Sequence, residues 1–266
     1  MSLYKEKKKL LVSNDDGYES YFLRCLVEAL IKDFEVCVVA PLEEQSWVGR
    51  AMSRSGTLQA TPLEDWPCPA WAINGRPADC VNIGLNHLID GPPDAVVSGI
   101  NLGFNVSLPL TLSSGTVAAA TEGALAGLPA FAYSLAIPRD HFMQVSKSRG
   151  KRDKTGDQLT QIAAEHARKI TLELLQQDHQ AYTVHNINFP AQITKETQRV
   201  SSTMTISQMP SLFAPIGSSA EGHPQFSFTF ANQWKQTYKP SHADTEVLHQ
   251  GQISHTLLKW DQLSEP

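Results

Sequence analysis

Short apolar runs alternate with segments of helical spacing through the first half of the chain. Short apolar runs bounded by turn residues are typical of buried strands, whereas apolar residues at positions i, i+3, i+4 and i+7 indicate an amphipathic helix. The pattern predicts strands at residues 9–14, 34–40, 71–75, 93–98 and 130–135. It predicts helices at residues 21–32 and 77–88, and a third that opens at 113–116 and runs to 126. This alternation predicts an α/β fold in which helices cover both faces of a mostly parallel sheet.

The pattern changes after Pro138. Residues 139–157 are polar and basic, and they are interpreted as an exposed insertion. A helix is predicted at 158–176 and a strand at 182–189, and the remaining sequence has β-like runs such as 226–230. We therefore predict a flexible N-terminal segment (1–8), an α/β catalytic domain (9–200) that contains the insertion, and a β-rich C-terminal extension (201–266) that adds strands to the sheet or reaches a partner subunit.

Composition narrows the choice of partner and compartment. The formal net charge of −5 disfavours binding to a nucleic-acid polymer. The four cysteines form no C-x-x-C pair, which predicts free thiols in a reducing compartment. The longest apolar stretch, residues 123–138, is interrupted by Gly127 and Pro129 and is too short to span a bilayer. We expect a cytoplasmic protein with no membrane partner.

Two adjacent carboxylates, Asp15 and Asp16, follow the first predicted strand directly. Open α/β sheets bind ligands at the carboxyl ends of their strands. Two carboxylates held there repel each other and lose hydration, and a bound cation supplies the missing opposite charge. The alternative is that Asp15-Asp16-Gly17 is only a turn.

Three other segments are expected at the same edge of the sheet: residues 40–46, 98–105 and 113–116. Their donor atoms are oxygens, which suit Mg²⁺, Mn²⁺ or Ca²⁺ better than zinc. Ser114-Gly115-Thr116 would place backbone N–H groups at a helix start, ready for an anion such as phosphate. A divalent cation that faces an anion site is a phosphoryl-transfer arrangement.

Each segment also has a purely structural interpretation. Ser114-Gly115-Thr116 could simply cap a helix, and Gly99-Ile100-Asn101 could form a turn. Glu43-Glu44 is interpreted as a solvated acidic pair, and the histidines show no metal-ligand spacing, although His141 is a candidate for contact with substrate. The sequence has no G-x-S-x-G elbow, Walker loop or G-x-G-x-x-G fingerprint.

Taken in order, the segments resemble the SurE-type survival-protein family of metal-dependent 5′/3′-nucleotidases. The resemblance covers residues 8–135 strongly and the rest loosely. It is carried by Ser13-Asn14-Asp15-Asp16-Gly17, Ala40-Pro41 with Ser46, Gly75-Arg76-Pro77-Ala78-Asp79-Cys80-Val81, Pro93-Asp94 through Val97-Ser98-Gly99-Ile100-Asn101, Ser114-Gly115-Thr116-Val117 with Ala119-Ala120 and Glu122-Gly123-Ala124-Leu125, and Asn186-Ile187-Asn188-Phe189-Pro190, with a weaker echo at Ala243-Asp244, Gln250-Gly251 and Ile253-Ser254.

The resemblance implies a fold, a site and a substrate class. The fold is a Rossmann-like three-layer α/β/α domain with a C-terminal extension used in homodimer or homotetramer assembly. The substrates are nucleoside monophosphates, and some members also attack short polyphosphate. The residues that match the family's metal ligands are Asp15, Asp16, Ser46 and Asn101. The residues that match its substrate-phosphate contacts are Asn105 and Ser114.

The chain departs from the family pattern around this site. Trp47 stands where a glycine is typical, and Arg50 stands where a histidine is common. Residues 106–113 replace a loop that usually carries two acidic residues, and the insertion at 139–157 lies where the family is often shorter. The changes in the loops bear on substrate choice and on the mobility of the loop at 106–113. The insertion could cover the site or mediate assembly.

The hypothesis that combines these observations is a phosphomonoesterase that acts on nucleoside monophosphates or other small phosphomonoesters with one divalent ion, Mg²⁺ or Mn²⁺. Asp15 and Asp16 are the candidate catalytic residues, and one of them would orient or deprotonate the attacking water. Asn105, Ser114, Gly115 and Thr116 would stabilise the phosphoryl charge. The alternatives are a nucleotide- or phosphosugar-binding module without turnover, and a structural oligomer whose metal holds loops.

Overall fold

The computed structural model describes residues 7–138, 142, 144, 145, 147, 148, 154–229 and 234–263, with backbone only for 154–156. Most of the predicted N-terminal segment, much of the predicted insertion and His141 lie outside these residues.

In the described part of the chain, nine strands form one sheet in the order β3-β4-β2-β1-β5-β6-β7-β13-β8. Neighbouring strands run parallel except β3 against β4 and β13 against β7. The strands of this sheet are β1 Lys9–Ser13, β2 Glu35–Pro41, β3 Ala60–Pro62, β4 Ala70–Ile73, β5 Ala95–Leu102, β6 Ala130–Leu135, β7 Thr183–Phe189, β8 Arg199–Ser202 and β13 Ile253–Lys259. The predicted mostly parallel α/β sheet is confirmed.

Helices cover both faces of this sheet. Along β1, Leu10 and Val12 pack with α1 on one face, whereas Leu11 packs with Val81 of α2 and Ala119 of α4 on the other. Because both faces are buried, the strand is a continuous apolar run, which is why the sequence revealed it. The helices are α1 Tyr21–Leu30, α2 Pro77–Ile83, α3 Leu108–Ser113, α4 Gly115–Leu125, α5 Lys154–Leu174 and α6 Asp244–His249.

The predicted helix at 77–88 is not uniform. It is α-helical over Pro77–Ile83 and continues as a π-helical turn over Gly84–Leu88. Gly84 lies so close to the sheet that an added Cβ would be 3.0 Å from the methyl groups of Leu11. The close packing of helix and strand explains the glycine at this position.

The C-terminal region contributes to the main sheet and also forms two small sheets. Strands β8 and β13 lie in the main sheet, whereas β10 Phe213–Ser218 pairs with β11 Pro224–Phe228, and β9 Ile206–Gln208 pairs with β12 Lys235–Tyr238. Part of the predicted extension is therefore continuous with the α/β sheet. No helix among the described residues combines the length and apolar character that a bilayer crossing requires. The four cysteines are free, as predicted.

Two histidines meet across strands β7 and β13. The Nδ1 atom of His185 lies 2.9 Å from Nε2 of His255, and the His185 ring stacks on Phe131 with 5.0 Å between centroids. Burial lowers the pKa of His185 to about 4 and that of His255 to about 3, and the positive charge of Arg199 contributes to both shifts. The fold therefore holds both rings neutral at pH 7.

We expect this pair to make the protein acid-sensitive. Both folded-state pKa values lie below the unfolded value of about 6.5, so the stability that these rings contribute is complete above pH 6.5 and is lost as the pH falls toward 4. Each histidine adds a slope of up to about 1.4 kcal/mol per pH unit in that window. Urea unfolding at pH 7.5, 6.0 and 5.0 should show a shallower loss for His255→Gln than for the unsubstituted protein. His223→Gln, at an exposed position, is the control, and identical pH dependence for all three proteins would contradict this account.

Candidate metal and phosphate site

The two aspartates predicted as metal ligands lie where β1 ends. The loop that carries them turns at Gly17, whose φ is +86° and whose carbonyl accepts a 2.9 Å hydrogen bond from the Asn14 amide. The Asp15 carbonyl accepts a 2.7 Å hydrogen bond from the Gln45 N–H. The bond between Gln45 and Asp15 joins the loops that follow β1 and β2 at the carboxyl edge of the sheet.

Asp15 is buried against the start of α4 and is 4% exposed. The Thr116 hydroxyl and the Thr116 backbone N–H both donate to its carboxylate. Gly115 lies against the same side chain, and an added Cβ there would be 2.7 Å from Asp15 Cβ. Burial nevertheless raises the pKa of Asp15 to about 6. The negative charge therefore lacks a full set of compensating partners.

Asp16 accepts a hydrogen bond from a different donor, and its negative charge is likewise disfavoured by burial. Its Oδ2 atom accepts a 2.8 Å hydrogen bond from the Leu102 N–H, at the end of β5. Burial, and then the charge of Asp15, raises the pKa of Asp16 well above its usual value. A dication near these two carboxylates would relieve both the desolvation and the mutual repulsion. The pair therefore fits a metal ion.

Two neutral oxygen donors complete the predicted ligand set. Asn101 is the penultimate residue of β5, next to the Leu102 N–H that holds Asp16. Ser46 is exposed and donates a hydrogen bond to Glu44. In the described part of the chain, no group of three or more histidine, cysteine, aspartate or glutamate side chains is placed to hold a metal. The further donors predicted from the sequence are hydroxyl and amide oxygens, which suit a hard ion such as Mg²⁺ or Mn²⁺.

A cavity of about 340 Å³ opens beside Asp16. The predicted solvated acidic pair, Glu43 and Glu44, is exposed as expected, and both side chains line this cavity. The charge of Glu44 also raises the pKa of Asp15 and Asp16. Glu44 is therefore part of the electrostatics of the site, although the sequence alone did not distinguish it from an ordinary surface acid. Among the residues that the structure describes, the cavity is lined by Asp16, Gly17, Ser20, Leu42, Glu43, Glu44, Ser46, Leu102, Phe142 and Lys147.

Asn105, a predicted phosphate contact, is held in a buried polar network. Its side-chain amide donates to Ser134 Oγ at 2.9 Å, and its backbone N–H donates to Asn188 Oδ1 at 2.7 Å. The Asn186 amide donates to the Asn105 carbonyl at 2.8 Å. The network ties the loop after β5 to strands β6 and β7. Ser134 was not predicted, because a lone serine in an apolar strand gives no sequence signal.

The segment Ser114-Gly115-Thr116 begins a helix, as predicted. Ser114 is the N-cap of α4, and its Oγ accepts a 3.1 Å hydrogen bond from the Val117 N–H. Thr116 donates to Asp15. The anionic side chain that meets this helix start in the structure is thus Asp15, and contact of the three residues with a phosphate stays a prediction.

A buried aspartate missed by the sequence analysis supports the loop that carries Asn105. Asp244 is 1% exposed, and its two carboxylate oxygens accept from the Ser107 N–H at 2.7 Å and the Thr205 N–H at 2.9 Å. Ser107 itself has a φ of +67°. Only the weak echo at Ala243-Asp244 pointed to this position, because its partners are distant in sequence.

We expect Asp244→Asn to lower the free energy of unfolding by about 1–3 kcal/mol. The new amide would place N–H donors against backbone N–H donors, so at least one hydrogen bond is lost. Urea unfolding measures this change, with Asp261→Asn at an exposed position as the control. Equal stability of Asp244→Asn and the control would contradict the role assigned to Asp244.

The departures from the family pattern also have structural counterparts. Trp47 adopts a φ of +62°, a region that favours glycine, and its ring lies 5.3 Å from that of Phe228 on β11. Arg50 pairs with the buried Glu122 of α4. Residues 108–113 form α3, whose last carbonyl accepts from the Gly49 N–H at 2.9 Å. The altered loops thus contact one another beside the site.

Known proteins match both the sequence and the fold. The family described as Survival protein SurE matches residues 10–211. A 5'-nucleotidase SurE of Maridesulfovibrio salexigens is 40% identical over 192 residues, which are 72% of this chain and 69% of that protein. A 5'-nucleotidase SurE of Myxococcus xanthus is 48% identical over 135 residues, 50% of each chain. The crystal structure of the SurE protein from Aquifex aeolicus aligns with a TM-score of 0.73 at 25% identity and covers 96% of this chain and 95% of that one. The chain therefore belongs to the SurE family.

Proposed function

We propose that this protein is a metal-dependent phosphomonoesterase that hydrolyses nucleoside monophosphates to nucleoside and phosphate. The observation that carries the proposal is the Asp15–Asp16 pair, whose pKa values are both raised at the carboxyl edge of a parallel sheet. Such a pair is costly to keep in a fold unless a cation uses it. The names of the relatives support the same activity, because those from Maridesulfovibrio salexigens and Myxococcus xanthus are called 5'-nucleotidases.

The ligands proposed for one Mg²⁺ or Mn²⁺ ion are Asp15, Asp16, Ser46 and Asn101. Such an ion, when bound, offsets phosphate charge and lowers the pKa of a water molecule. Thr116 holds Asp15 in place through its hydroxyl and N–H, and the Leu102 N–H does the same for Asp16. The protein thus fixes the orientation of both carboxylates before substrate arrives.

The substrate phosphate is proposed to lie beside the carboxylate pair, at the cavity that Asp16 lines. The candidate groups that stabilise its charge are the Asn105 amide and the N–H groups and hydroxyls of Ser114, Gly115 and Thr116. Asp16, which lines the cavity, is the candidate for orienting the attacking water. The cavity volume of about 340 Å³ lies at the small end of the range for ligand pockets, which suits a mononucleotide rather than a polymer.

A phosphate-release assay tests this proposal. The substrates are the common 5′- and 3′-nucleoside monophosphates together with an aryl phosphate, and the conditions are Mg²⁺, Mn²⁺ or EDTA. We expect turnover with at least one metal, loss of turnover in EDTA and recovery when metal is added back. Turnover that is insensitive to EDTA would contradict the metal role. Nucleotide binding without turnover would favour the binding-module alternative, and metal removal that only lowers the melting temperature would favour the structural one.

We also propose that the protein assembles as a homodimer or homotetramer through the β10–β11 hairpin. This hairpin exposes apolar side chains to an unusual degree: Phe213 is 59% exposed, Ile216 63% and Phe226 60%. A contiguous exposed apolar surface is typical of an interface. Light scattering after size exclusion should give a mass above that of one chain, and Ile216→Ser with Phe226→Ser should shift it toward the monomer.

A further inference from the structure

Two described residues of the segment after β6, Phe142 and Lys147, lie at the cavity next to Asp16. Both side chains line that cavity together with residues of the loops that follow β1 and β2. The described residues around them have defined contacts. The Phe142 N–H donates to the Pro138 carbonyl at 3.1 Å, the Ser148 N–H donates to the Gln144 carbonyl at 3.1 Å, and Val145 is buried in the main core at 4% exposure.

Among the described residues, acidic side chains outnumber basic ones around the cavity. Asp16, Glu43 and Glu44 line it, and Asp15 lies beside Asp16. A phosphomonoester adds about two further negative charges near neutral pH. A single divalent ion offsets only two charges, so these described acidic groups and the substrate together keep a net negative charge. Among the described residues that line the cavity, Lys147 is the one cation.

We propose that Lys147 binds the phosphate of the substrate, so that the insertion contributes a substrate-binding residue to the SurE-type site. This inference rests on the proposed function for the identity of the anion. A lysine ammonium on its flexible four-carbon chain is a compact charge with three donors, suited to an anion that arrives and leaves. Positive side chains that clamp a transferring phosphoryl group stabilise its charge. Phe142, which is 39% exposed, adds an apolar side chain to the lining of the same cavity.

A purely structural role would be different. In that case Lys147 would only offset Glu43 and Glu44, and its removal would change the affinity for the metal but not that for phosphate. The two roles therefore predict different results when phosphate and metal binding are measured separately.

The test uses Lys147→Met, Lys147→Arg and the control Lys169→Met, which changes an exposed lysine of α5. Calorimetry measures the binding of inorganic phosphate to the Mg²⁺-saturated full-length protein, and a separate titration measures Mg²⁺ binding. We expect Lys147→Met to weaken phosphate binding about tenfold or more, the loss typical of a hydrogen bond to a charged group. Lys147→Arg should retain most of the affinity, and Lys169→Met should match the unsubstituted protein.

The same variants are compared in the phosphate-release assay. For Lys147→Met we expect a raised KM for nucleoside monophosphates and for an aryl phosphate alike, because the phosphate is common to both. Equal phosphate affinity in Lys147→Met and the unsubstituted protein, at saturating Mg²⁺, overturns the inference even if nucleotides are hydrolysed. Lys147-dependent phosphate binding without turnover of any substrate upholds the inference and rejects the proposed phosphomonoesterase activity.

Discussion

Asp15→Asn should reduce phosphate release by about a thousandfold, equivalent to ~4 kcal/mol of transition-state stabilisation. The amide is nearly isosteric and keeps one oxygen for the Thr116 hydroxyl. It removes the charge that the proposed metal site requires. Because burial raises the pKa of Asp15 to about 6, removing that charge relieves a cost that offsets the loss of one acceptor for Thr116, and the metal-free variant should be about as stable as the metal-free parent protein.

Thermal unfolding with and without Mn²⁺ measures both the stability of the metal-free proteins and the stability that the metal adds. At a metal concentration a hundredfold above Kd, the parent protein should gain about 2.7 kcal/mol of stability, and Asp15→Asn should gain little. Asp94→Asn is the matched control, because Asp94 accepts the Lys9 N–H where β1 begins, at the far end of the strand from Asp15. More than a tenth of the parent activity in a folded Asp15→Asn protein, or an undiminished metal-dependent gain, would contradict the role of Asp15.

Gly115→Ala is the second change with a large expected effect. An added Cβ would lie 2.7 Å from Asp15 Cβ and 3.0 Å from its Oδ2 atom, so either the carboxylate or the start of α4 must move. We expect Mn²⁺ affinity to fall by about tenfold or more, since a ligand displaced by a fraction of an ångström no longer fits an ion with strict geometry. Calorimetric titration of Mn²⁺ into the folded variant measures the change.

Gly123→Ala, on the same helix, is the control for simple destabilisation. Its Cβ would lie 2.5 Å from Val96 Cβ, in the core and away from the carboxylates. Both variants should melt at lower temperature than the parent protein, but only Gly115→Ala should lose metal affinity. A similar Mn²⁺ affinity in the two folded variants would show that Gly115 does not position a metal ligand.

The sequence predicted the strands that are buried on both faces of the sheet. The bounds of β6 match the prediction of 130–135, because a strand buried on both sides is an uninterrupted apolar run. Strand β13 was not predicted, since its buried positions include polar residues. The hydroxyl groups of Ser254 and Thr256 both form 2.8 Å hydrogen bonds with the Ser202 hydroxyl on the neighbouring strand. Because these polar residues are buried, the sequence of β13 does not show the apolar run that is typical of a buried strand.

The sequence likewise predicted only some of the residues at the candidate site. Asp15 and Asp16 could be located because they directly follow a buried strand, and strand ends meet at one edge of the sheet. Asp244 and Lys147 could not be located in this way. The partners of Asp244 are up to 137 residues away in sequence, and nothing in the basic segment around Lys147 indicates that this side chain lines the cavity. Such residues gain their roles only from tertiary packing.

The most direct measurement is anomalous diffraction from a crystal of the protein soaked in Mn²⁺. We predict a peak within bonding distance of carboxylate oxygens from both Asp15 and Asp16, with Ser46 and Asn101 as further neighbours. The central claim would be contradicted if the protein hydrolyses nucleoside monophosphates with Mn²⁺ but the Mn²⁺ peak in the crystal lies elsewhere, with no metal at Asp15 and Asp16.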